Sequence, residues 1–321
     1  MQEKKSIFNH PLVIVLAALL CCALWGSATP FIKMGSAAMI PVKGVPSTIL
    51  FAGIRFTGAG ILTVLIYSIA RKKFLFPKVK NIPKILTVGA FQTVLQYIFF
   101  YVGLTYTSGV KGTIMSGSSA FFSVLVASLI FRQEKLTIKK IVACILGFSG
   151  IVLINLNGLE LTFTFLGDGF VILSCVAVAF SSVLAKIFSK DEDPVLISGY
   201  QFVAGGIFLI CVGLIFGGRV AIPDLRAAGI LLYLSALSAV AFALWGVLLK
   251  FNPVSKVSIF SFSTPIFGTI LSTLLLDEAS NTHIVNLLIT LALVSLGIFM
   301  LNYVKPEKAM PKIKNEPKEN K

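Results

Sequence analysis

The sequence predicts an all-α membrane protein with ten transmembrane helices arranged as a 5+5 inverted repeat. Three observations lead to this fold class: the apolar composition, the distribution of Lys and Arg along the chain, and a weak internal repeat. Apolar residues make up 56% of the 321 residues, charged residues make up 13%, and the mean hydropathy is +0.93. Because a soluble domain carries about 25% charged residues, most of this chain must face lipid.

Ten segments are long and apolar enough to cross a bilayer, which takes roughly 17–25 residues per helix. The first segment exceeds the ~7–15-residue apolar core of a secretion signal, and nine more follow, so it is interpreted as helix 1. The basic tail at 305–321 is rich in Lys, Glu, Pro and Asn and is expected to be disordered. The ten segments are 11–33, 46–70, 83–106, 109–131, 138–156, 166–187, 194–217, 227–249, 254–276 and 283–304.

The positions of Lys and Arg orient the chain. With the N-terminus placed in the cytoplasm, 22 of these residues fall on the cytoplasmic side, five on the outer side, and Arg55 inside helix 2. Lys33 counts among the outer five, in the loop after helix 1. This bias follows the positive-inside rule, so we expect a multi-pass protein of the cytoplasmic membrane with both termini in the cytoplasm. The same rule accounts for the net charge of +15, and no nucleic-acid partner is expected.

The two halves of the chain resemble each other. Helices 3, 4 and 5 align with helices 8, 9 and 10 at an offset of 144 residues, which grows by three in the last helix. Because five helices form each copy, the second copy must cross the membrane in the opposite sense, and the repeats are predicted at 11–156 and 166–304. Inverted repeats are typical of secondary transporters, which bind solute near the midplane between the copies; chance similarity between apolar segments is the alternative. Matching positions are Tyr101 and Trp245, Leu104 and Leu248, Ser119 and Ser263, Glu134 and Glu278, Gly150 and Gly297, and Asn155 and Asn302.

Short motifs follow one another in a fixed order along residues 11–304. They are Trp25-Gly26-Ser27 with Lys33, Arg55-Phe56, the run from Tyr101 to Ser108, the run from Arg132 to Lys135, Gly147 with Gly150, the run from Asn252 to Lys256, Ser263-Thr264-Pro265, Asp277-Glu278, and Gly297. Together they resemble the drug/metabolite transporter superfamily, specifically its ten-helix EamA type. No single motif is specific, but the ordered set is, and the resemblance implies a carrier of small solutes.

The sequence departs from this family in two helices. The family usually has Pro in the middle of helices 4 and 9, and helix 9 keeps Pro265, but the matching position of helix 4 is Phe121. A hinge in helix 4 is therefore in doubt. Helix 10 has Leu293-Val294-Ser295 where a family Gly is common.

Arg55 is the most informative single residue. It lies nine residues into helix 2, about 14 Å from the outer end, where an ionised side chain costs at least ~2.5 kcal/mol. As a binding residue it would face a cavity and meet an anionic or zwitterionic substrate. As a structural residue it would bond helix-end carbonyls and extend outward to water. The family resemblance favours the structural role, because this Arg recurs among members with different substrates.

Acidic residues are missing from the spans. All thirteen Asp and Glu residues lie in loops, termini or helix edges, and the nearest to a span interior is Asp168 at the start of helix 6. Arg55 therefore has no evident acidic partner. Proton-driven carriers usually place an ionisable acid in the span, so the sequence offers no carboxylate for proton or sodium coupling.

Polar residues at mid-span are candidates for a solute site between the repeats. Their alternative role is hydrogen bonding between packed helices, which is the more common one for a single Ser. Gln92 and Gln96 are four residues apart and so share one helix face. The candidates are Gln92, Gln96 and Tyr97 on helix 3, Ser116 and Ser119 on helix 4, and Ser261 and Ser263 on helix 9.

Three large aromatic residues with a polar edge complete the candidate site: Trp25, Tyr101 and Trp245. Because Tyr101 and Trp245 occupy matching positions of inverted repeats, one lies near the outer end and the other near the inner end. They are interpreted either as gates or stacking walls for a solute, or as members of the aromatic belt at the membrane interfaces.

The sequence offers no features of an enzyme. Both histidines lie at helix edges, the five cysteines lie in apolar segments, and no phosphate loop or nucleotide-binding glycine motif occurs. No enzymatic activity, cofactor or metal is expected; the partners are a small-molecule solute and the lipid bilayer, and the oligomeric state is left open. The leading hypothesis is a secondary carrier that moves a small metabolite or amino acid by alternating access, with export the expected direction. A drug efflux carrier and a lipid-handling or regulatory membrane protein without transport are the alternatives.

Overall fold

The computed structural model describes residues 7–107, 109–154, 162–276 and 284–302. In these ranges the chain is helical, without strands, and the predicted all-α class with ten membrane helices is confirmed. Eight helices in these ranges are long and apolar enough to span a membrane, and the fifth and the tenth, Ile138–Ile154 and Ile284–Asn302, border residues outside the described ranges. The predicted tail at 305–321, together with Asn155, Asp277 and Glu278, lies outside the described residues. The helices are α1 (Pro11–Met39), α2 (Val45–Ala70), α3 (Val79–Tyr106), α4 (Gly109–Gly117, Ser119–Leu125 and Val126–Ile130), α5 (Ile138–Ile154), α6 (Phe165–Phe188), α7 (Pro194–Ile215), α8 (Leu225–Phe251), α9 (Val254–Ser258, Ile259–Ser263 and Thr264–Leu276) and α10 (Ile284–Asn302).

The first helix is longer than its sequence suggested. It continues through Pro30 to Met39, so placing Lys33 in the following loop was wrong. Pro30 removes one backbone hydrogen bond, but neighbouring helices can cover the carbonyl that it frees. That carbonyl, on Gly26, packs against Gly268 of α9.

Both α4 and α9 are interrupted near their middle. The α-helical pattern of α4 breaks at Ser118, and α9 tightens into a 3-10 segment at Ile259–Ser263. The break in α4 occurs without a proline. Its serine hydroxyls donate to carbonyls of their own helix, from Ser116 Oγ to Gly112 at 2.6 Å and from Ser118 Oγ to Met115 at 2.6 Å, a pattern that bends helices. The doubt raised by Phe121 is thereby resolved, since a break is present at the matching place.

The two halves are interwoven. Helix α1 packs against α8 and α9 of the second half, and α6 packs in the matching way against α3 and α4 of the first half. The equivalent helices α2 and α7 pair with each other, as do α5 and α10. The centre of the molecule is therefore built from both halves.

Glycines bring α2 and α7 into backbone contact. A Cβ atom on Gly60 would lie 2.6 Å from the Gly199 carbonyl oxygen, and one on Gly53 would lie 2.9 Å from that of Gly206. Small residues allow helices to approach in this way within a membrane. A side chain at either position would push α2, which carries Arg55, away from α7.

The end of the bundle at which α1 begins is called here the N-side end, and the opposite end the far end. At the N-side end, the segment between α6 and α7 meets the first half through Asp191 and Glu192. The Lys84 ammonium donates to Asp191, and the Asn81 amide donates to Glu192 Oε2 at 3.0 Å. The hydrogen bond and charge of Lys84 lower the pKa of Asp191. Burial acts to raise the pKa of Glu192, but hydrogen bonds from Asn81 and the Lys78 backbone outweigh it and lower that pKa.

Candidate functional site

Arg55 lies inside the bundle and not at its surface. It is ten residues from the start of α2, about 15 Å from the far end, and is only 3% exposed. Its Nε and Nη2 atoms donate to Ser238 Oγ on α8 at 3.2 and 2.9 Å. Among the described contacts the side chain bonds Ser238 and no helix-end carbonyl, so it does not extend outward as considered above, and whether Arg55 binds solute stays a prediction.

The guanidinium keeps unused donors. Arginine has five N–H groups, and two of those of Arg55 donate to Ser238 Oγ. Among the described residues no other acceptor is within hydrogen-bond distance, and no carboxylate lies within 4 Å. The described residues give the guanidinium no third hydrogen bond, and a charged donor in a low-dielectric interior gains from an acceptor, so this group favours an incoming acceptor, above all an anion.

Helix α8 approaches α2 closely beside Arg55. A Cβ atom on Gly58 would lie 2.9 Å from Ser235 Oγ, and Ser235 Oγ donates to the Arg55 carbonyl at 3.1 Å. Ser238 Oγ in turn donates to the Leu234 carbonyl at 2.8 Å. The absence of a side chain at Gly58 therefore places the two serines of α8 around Arg55.

Further donors lie around this cation. The Tyr97 ring lies 4.4 Å from that of Phe56, which contacts the Arg55 guanidinium, and within the described part of the chain neither the Tyr97 nor the Tyr101 hydroxyl makes a hydrogen bond. Tyr97 and Tyr101 thus supply donors on the side of Arg55. Trp25 Nε1 is also buried without a partner among the described residues, but several rings separate it from Arg55.

Aromatic rings connect these donors across five helices. The Arg55 guanidinium lies 4.8 Å from the Phe56 ring centroid, and Phe56 is 4.4 Å from Tyr97 and 5.1 Å from Phe202. Phe202 contacts Phe242 at 4.9 Å. Trp25 contacts Phe242 at 5.0 Å and Trp245 at 4.9 Å, and Tyr101 lies 5.8 Å from Tyr97. Tyr101 and Trp245 are both buried, so neither side chain faces lipid as a belt residue would.

A narrow cleft extends from this aromatic chain toward the N-side end. Its volume is about 10 Å³, which is on the order of one water molecule. Drug-sized sites usually measure about 300–1,000 Å³, so the cleft is too small for a metabolite in this conformation. Gln92, Ser182, Ser198, Phe242, Trp245 and Gly246 are among its lining residues.

Of the predicted site residues only Gln92 and Trp245 line the cleft, and Arg55 does not. Gln96 is half-buried and does not line it. Ser261 Oγ donates to the Ser258 carbonyl at 2.6 Å, so this hydroxyl, like that of Ser116, is used within its own helix. Ser119 and Ser263 do not line the cleft either. Whether these residues bind solute stays a prediction.

Sequence reasoning missed a buried polar pair beside the site. Thr93 Oγ1 donates to Gln201 Oε1 at 2.7 Å between α3 and α7, and Gln201 Nε2 is buried without a partner. Both residues are fully buried. The position of the Gln201 amide in the middle of α7 could have predicted a buried polar contact there. No feature of the sequence predicts that Ser235 and Ser238 of the other half contact Arg55.

A second cation, Lys186, lies below the cleft at the N-side end. Its ammonium donates to the Leu249 carbonyl at 2.9 Å and to the Asn252 carbonyl. These carbonyls end α8, where the helix dipole is negative. Leu249 and Ala185 line the cleft, so Lys186 fastens α6 to α8 directly beneath it.

The sequence model of the EamA-like transporter family matches this chain twice, at residues 12–156 and 165–303. The chain belongs to the EamA-like transporter family. The two matches fall on the two five-helix halves that interweave around Arg55. Membership makes the protein a multi-pass membrane transporter, in agreement with the resemblance seen in its motifs.

Several known proteins are similar to this chain at moderate identity. An uncharacterized transporter of Archaeoglobus fulgidus is 28% identical over 83% of this chain and 90% of its own length. An uncharacterized transporter of Bacillus subtilis is 26% identical over 87% and 88%. A WAT1-related chloroplastic protein of Arabidopsis thaliana is 26% identical over 86% of this chain and 68% of its own length.

A solved crystal structure has the same fold. It superposes with a TM-score of 0.70 over 91% of this chain and 98% of its own, at 15% identity. At that identity the likeness supports the fold alone.

Proposed function

We propose that this protein is a secondary carrier that moves a small anionic or zwitterionic metabolite, such as an amino acid, across the cytoplasmic membrane. Transport proceeds by alternating access, export is the physiological direction, and both termini lie in the cytoplasm. The observation that carries the proposal is Arg55, buried to 97% of its surface, with three N–H groups that have no acceptor among the described residues. A carboxylate is the partner whose planar geometry a guanidinium matches best.

The surroundings of Arg55 support the same class of solute. Three further groups can donate hydrogen bonds to a solute: the hydroxyls of Tyr97 and Tyr101 and the indole N–H of Trp25. Their aromatic rings can pack against the apolar part of a metabolite. A cationic drug would need a carboxylate at the site, and none lies within 4 Å of Arg55 in the described ranges. The buried carboxylate of Asp168 already accepts hydrogen bonds from Thr107 Oγ1 and the Thr164 backbone N–H. Cation efflux is therefore disfavoured.

The packing of the halves supports alternating access. Inverted repeats that share a central site can rock about it and open each end in turn. The narrow cleft then corresponds to a closed state, in which Lys186 joins α6 to α8 and Asp191 pairs with Lys84 at the N-side end. The placement of both termini in the cytoplasm rests on the distribution of basic residues.

One observation favours a second candidate, a lipid-handling or regulatory protein without transport. The cleft of about 10 Å³ holds no metabolite. If this were the only state of the molecule, Arg55 would serve packing alone. The two candidates differ in whether the purified protein moves solute.

Flux measurements in proteoliposomes test the proposal. Vesicles containing the purified full-length protein are loaded with a mixture of amino acids and other carboxylates, neutral sugars and quaternary ammonium cations, and efflux is followed by mass spectrometry. We expect efflux of at least one carboxylate above protein-free vesicles and none of the cations. Efflux of cations alone would overturn the assigned solute class, and no efflux of any class would favour the second candidate.

A further inference from the structure

The loop between α2 and α3 combines exposed basic and aromatic side chains. It runs over residues 71–78 at the N-side end, between two membrane-spanning helices. Phe74 and Phe76 are 57% and 72% exposed. Lys72, Lys73 and Lys80 are exposed around them. These five residues are called here the basic platform.

The platform is held in place by its backbone. Leu75 N donates to Ser68 Oγ at 3.1 Å, and Tyr200 Oη of α7 donates to the Leu75 carbonyl at 2.9 Å. The Phe74 and Phe76 ring centroids are 5.4 Å apart, and Phe76 lies 5.6 Å from Tyr200. The exposed rings are therefore presented in a fixed position.

The cations of the platform are uncommitted, in contrast to their neighbours. Arg71 donates to Tyr67 Oη at 3.0 Å, and Lys84 pairs with Asp191. The ammonium groups of Lys72, Lys73 and Lys80 make no hydrogen bond or ion pair with any described residue, although the charge of Lys80 acts on Asp191. The ammonium groups of Lys72 and Lys73 are thus fully available to an external anion, and that of Lys80 is shared with Asp191.

The position of the loop decides which anion is present. Only eight residues separate α2 from α3, so the platform stays at the level of the lipid headgroups. Apolar rings insert at the boundary of headgroups and acyl chains, while nearby lysines attract anionic lipids. A phospholipid with a net negative headgroup satisfies both parts of the platform at once.

We propose that the basic platform is a binding site for an anionic phospholipid, whose phosphate lies between Lys72, Lys73 and Lys80 and whose glycerol and upper acyl chain pack on Phe74 and Phe76. The site lies apart from Arg55 and does not depend on the identity of the transported solute.

Native mass spectrometry of the purified full-length protein tests this site. The protein is incubated with equal amounts of phosphatidylglycerol and phosphatidylcholine, and bound lipids are counted. We expect preferential retention of phosphatidylglycerol, and a loss of that preference by about tenfold or more in the variant K72Q/K73Q/K80Q. The variant F74A/F76A keeps the charges and is expected to retain less of both lipids.

The segment after α4 provides a matched control. The variant R132Q/K135Q/K139Q removes the same charge at the same end, from exposed side chains without a neighbouring pair of loop aromatics. Arg132 and Lys72 also share a left-handed backbone, with φ of 49° and 50°. Equal loss of preference in both triple variants would overturn the site in favour of net charge. Absence of preference in the wild type, or displacement of the lipid by equimolar glycerol phosphate, would overturn it as well.

Discussion

The two cations inside the bundle, Arg55 and Lys186, differ in how fully their donors are used. Lys186 donates to two carbonyls at the end of α8, which is the usual way to complete a helix terminus. Arg55 is buried within α2, and among the described residues its guanidinium has one partner, the Ser238 hydroxyl. Burial of a charge therefore does not by itself indicate a binding site. The number of its donors that have no acceptor is the better indicator, and Arg55 has more of these than Lys186.

The largest expected effect comes from removing the cation with spare donors. Arg55→Gln keeps a polar donor on a shorter side chain but loses the charge, and we expect the efflux rate of carboxylate solutes to fall about 100-fold, since hydrogen bonds to charged groups contribute roughly 1.5–3 kcal/mol each. Efflux from proteoliposomes at equal protein density measures this. Unchanged efflux in Arg55→Gln would remove Arg55 from the site.

Lys186→Met is expected to act on stability and not on the solute. The methionine keeps an apolar stem, but the α8 carbonyls lose their donors, which costs about 1–3 kcal/mol. Unfolding in detergent by denaturant would show the loss, while the KM for efflux stays within about twofold of wild type. A raised KM with unchanged stability would contradict the division between the two cations.

Ser238→Ala sharpens the comparison, because it removes the anchor of Arg55 without removing its charge. We expect a loss of affinity of about three- to tenfold, the value of one hydrogen bond. Ser235→Ala is the matched control, since the Ser235 hydroxyl donates to the Arg55 carbonyl and not to its guanidinium. Equal effects of both variants on KM would indicate a general disturbance of α8.

The exposed pair of Lys84 and Asp191 gives the smallest expected effect. Exposed pairs contribute little because water screens them, so Asp191→Asn should leave efflux unchanged. Lys84 lowers the pKa of Asp191, so the pair stabilises the folded protein at pH values above the ordinary pKa of a carboxyl group. That stabilisation is lost as the pH falls through the lowered value. Denaturation curves of wild type and Asp191→Asn that diverge near neutral pH and converge in acid would match this sign, whereas divergence only in acid would contradict it.

Much of the fold was readable from the sequence because lipid imposes a simple rule on it. Apolar length set nine of the ten helices to within a few residues, and the repeat predicted the opposed halves. Helix α1 is longer than apolar length predicted, since its end was placed at Lys33 while packing against α9 accompanies its continuation through Pro30 to Met39. Apolar length does not predict the break in α4 either. That break lies at serines whose hydroxyls bond carbonyls of their own helix, and not at a proline.

The candidate site was readable only in part. Burial cost identified Arg55, and aromatic character identified Trp25 and Trp245. The partner Ser238 is 183 residues from Arg55 in sequence, and nothing local in either helix predicts that contact. The narrowness of the cleft is a property of how ten helices pack and has no local sequence pattern.

The two tryptophans of the chain, Trp25 and Trp245, pack against each other beside the cleft with ring centroids 4.9 Å apart. Their intrinsic fluorescence therefore reports binding in the purified protein without a label. Titration with a transported carboxylate should give a saturable change in wild type and in Lys186→Met, and none in Arg55→Gln at the same concentrations. Saturation of Arg55→Gln with the wild-type Kd would contradict the account of Arg55 as the solute-binding cation.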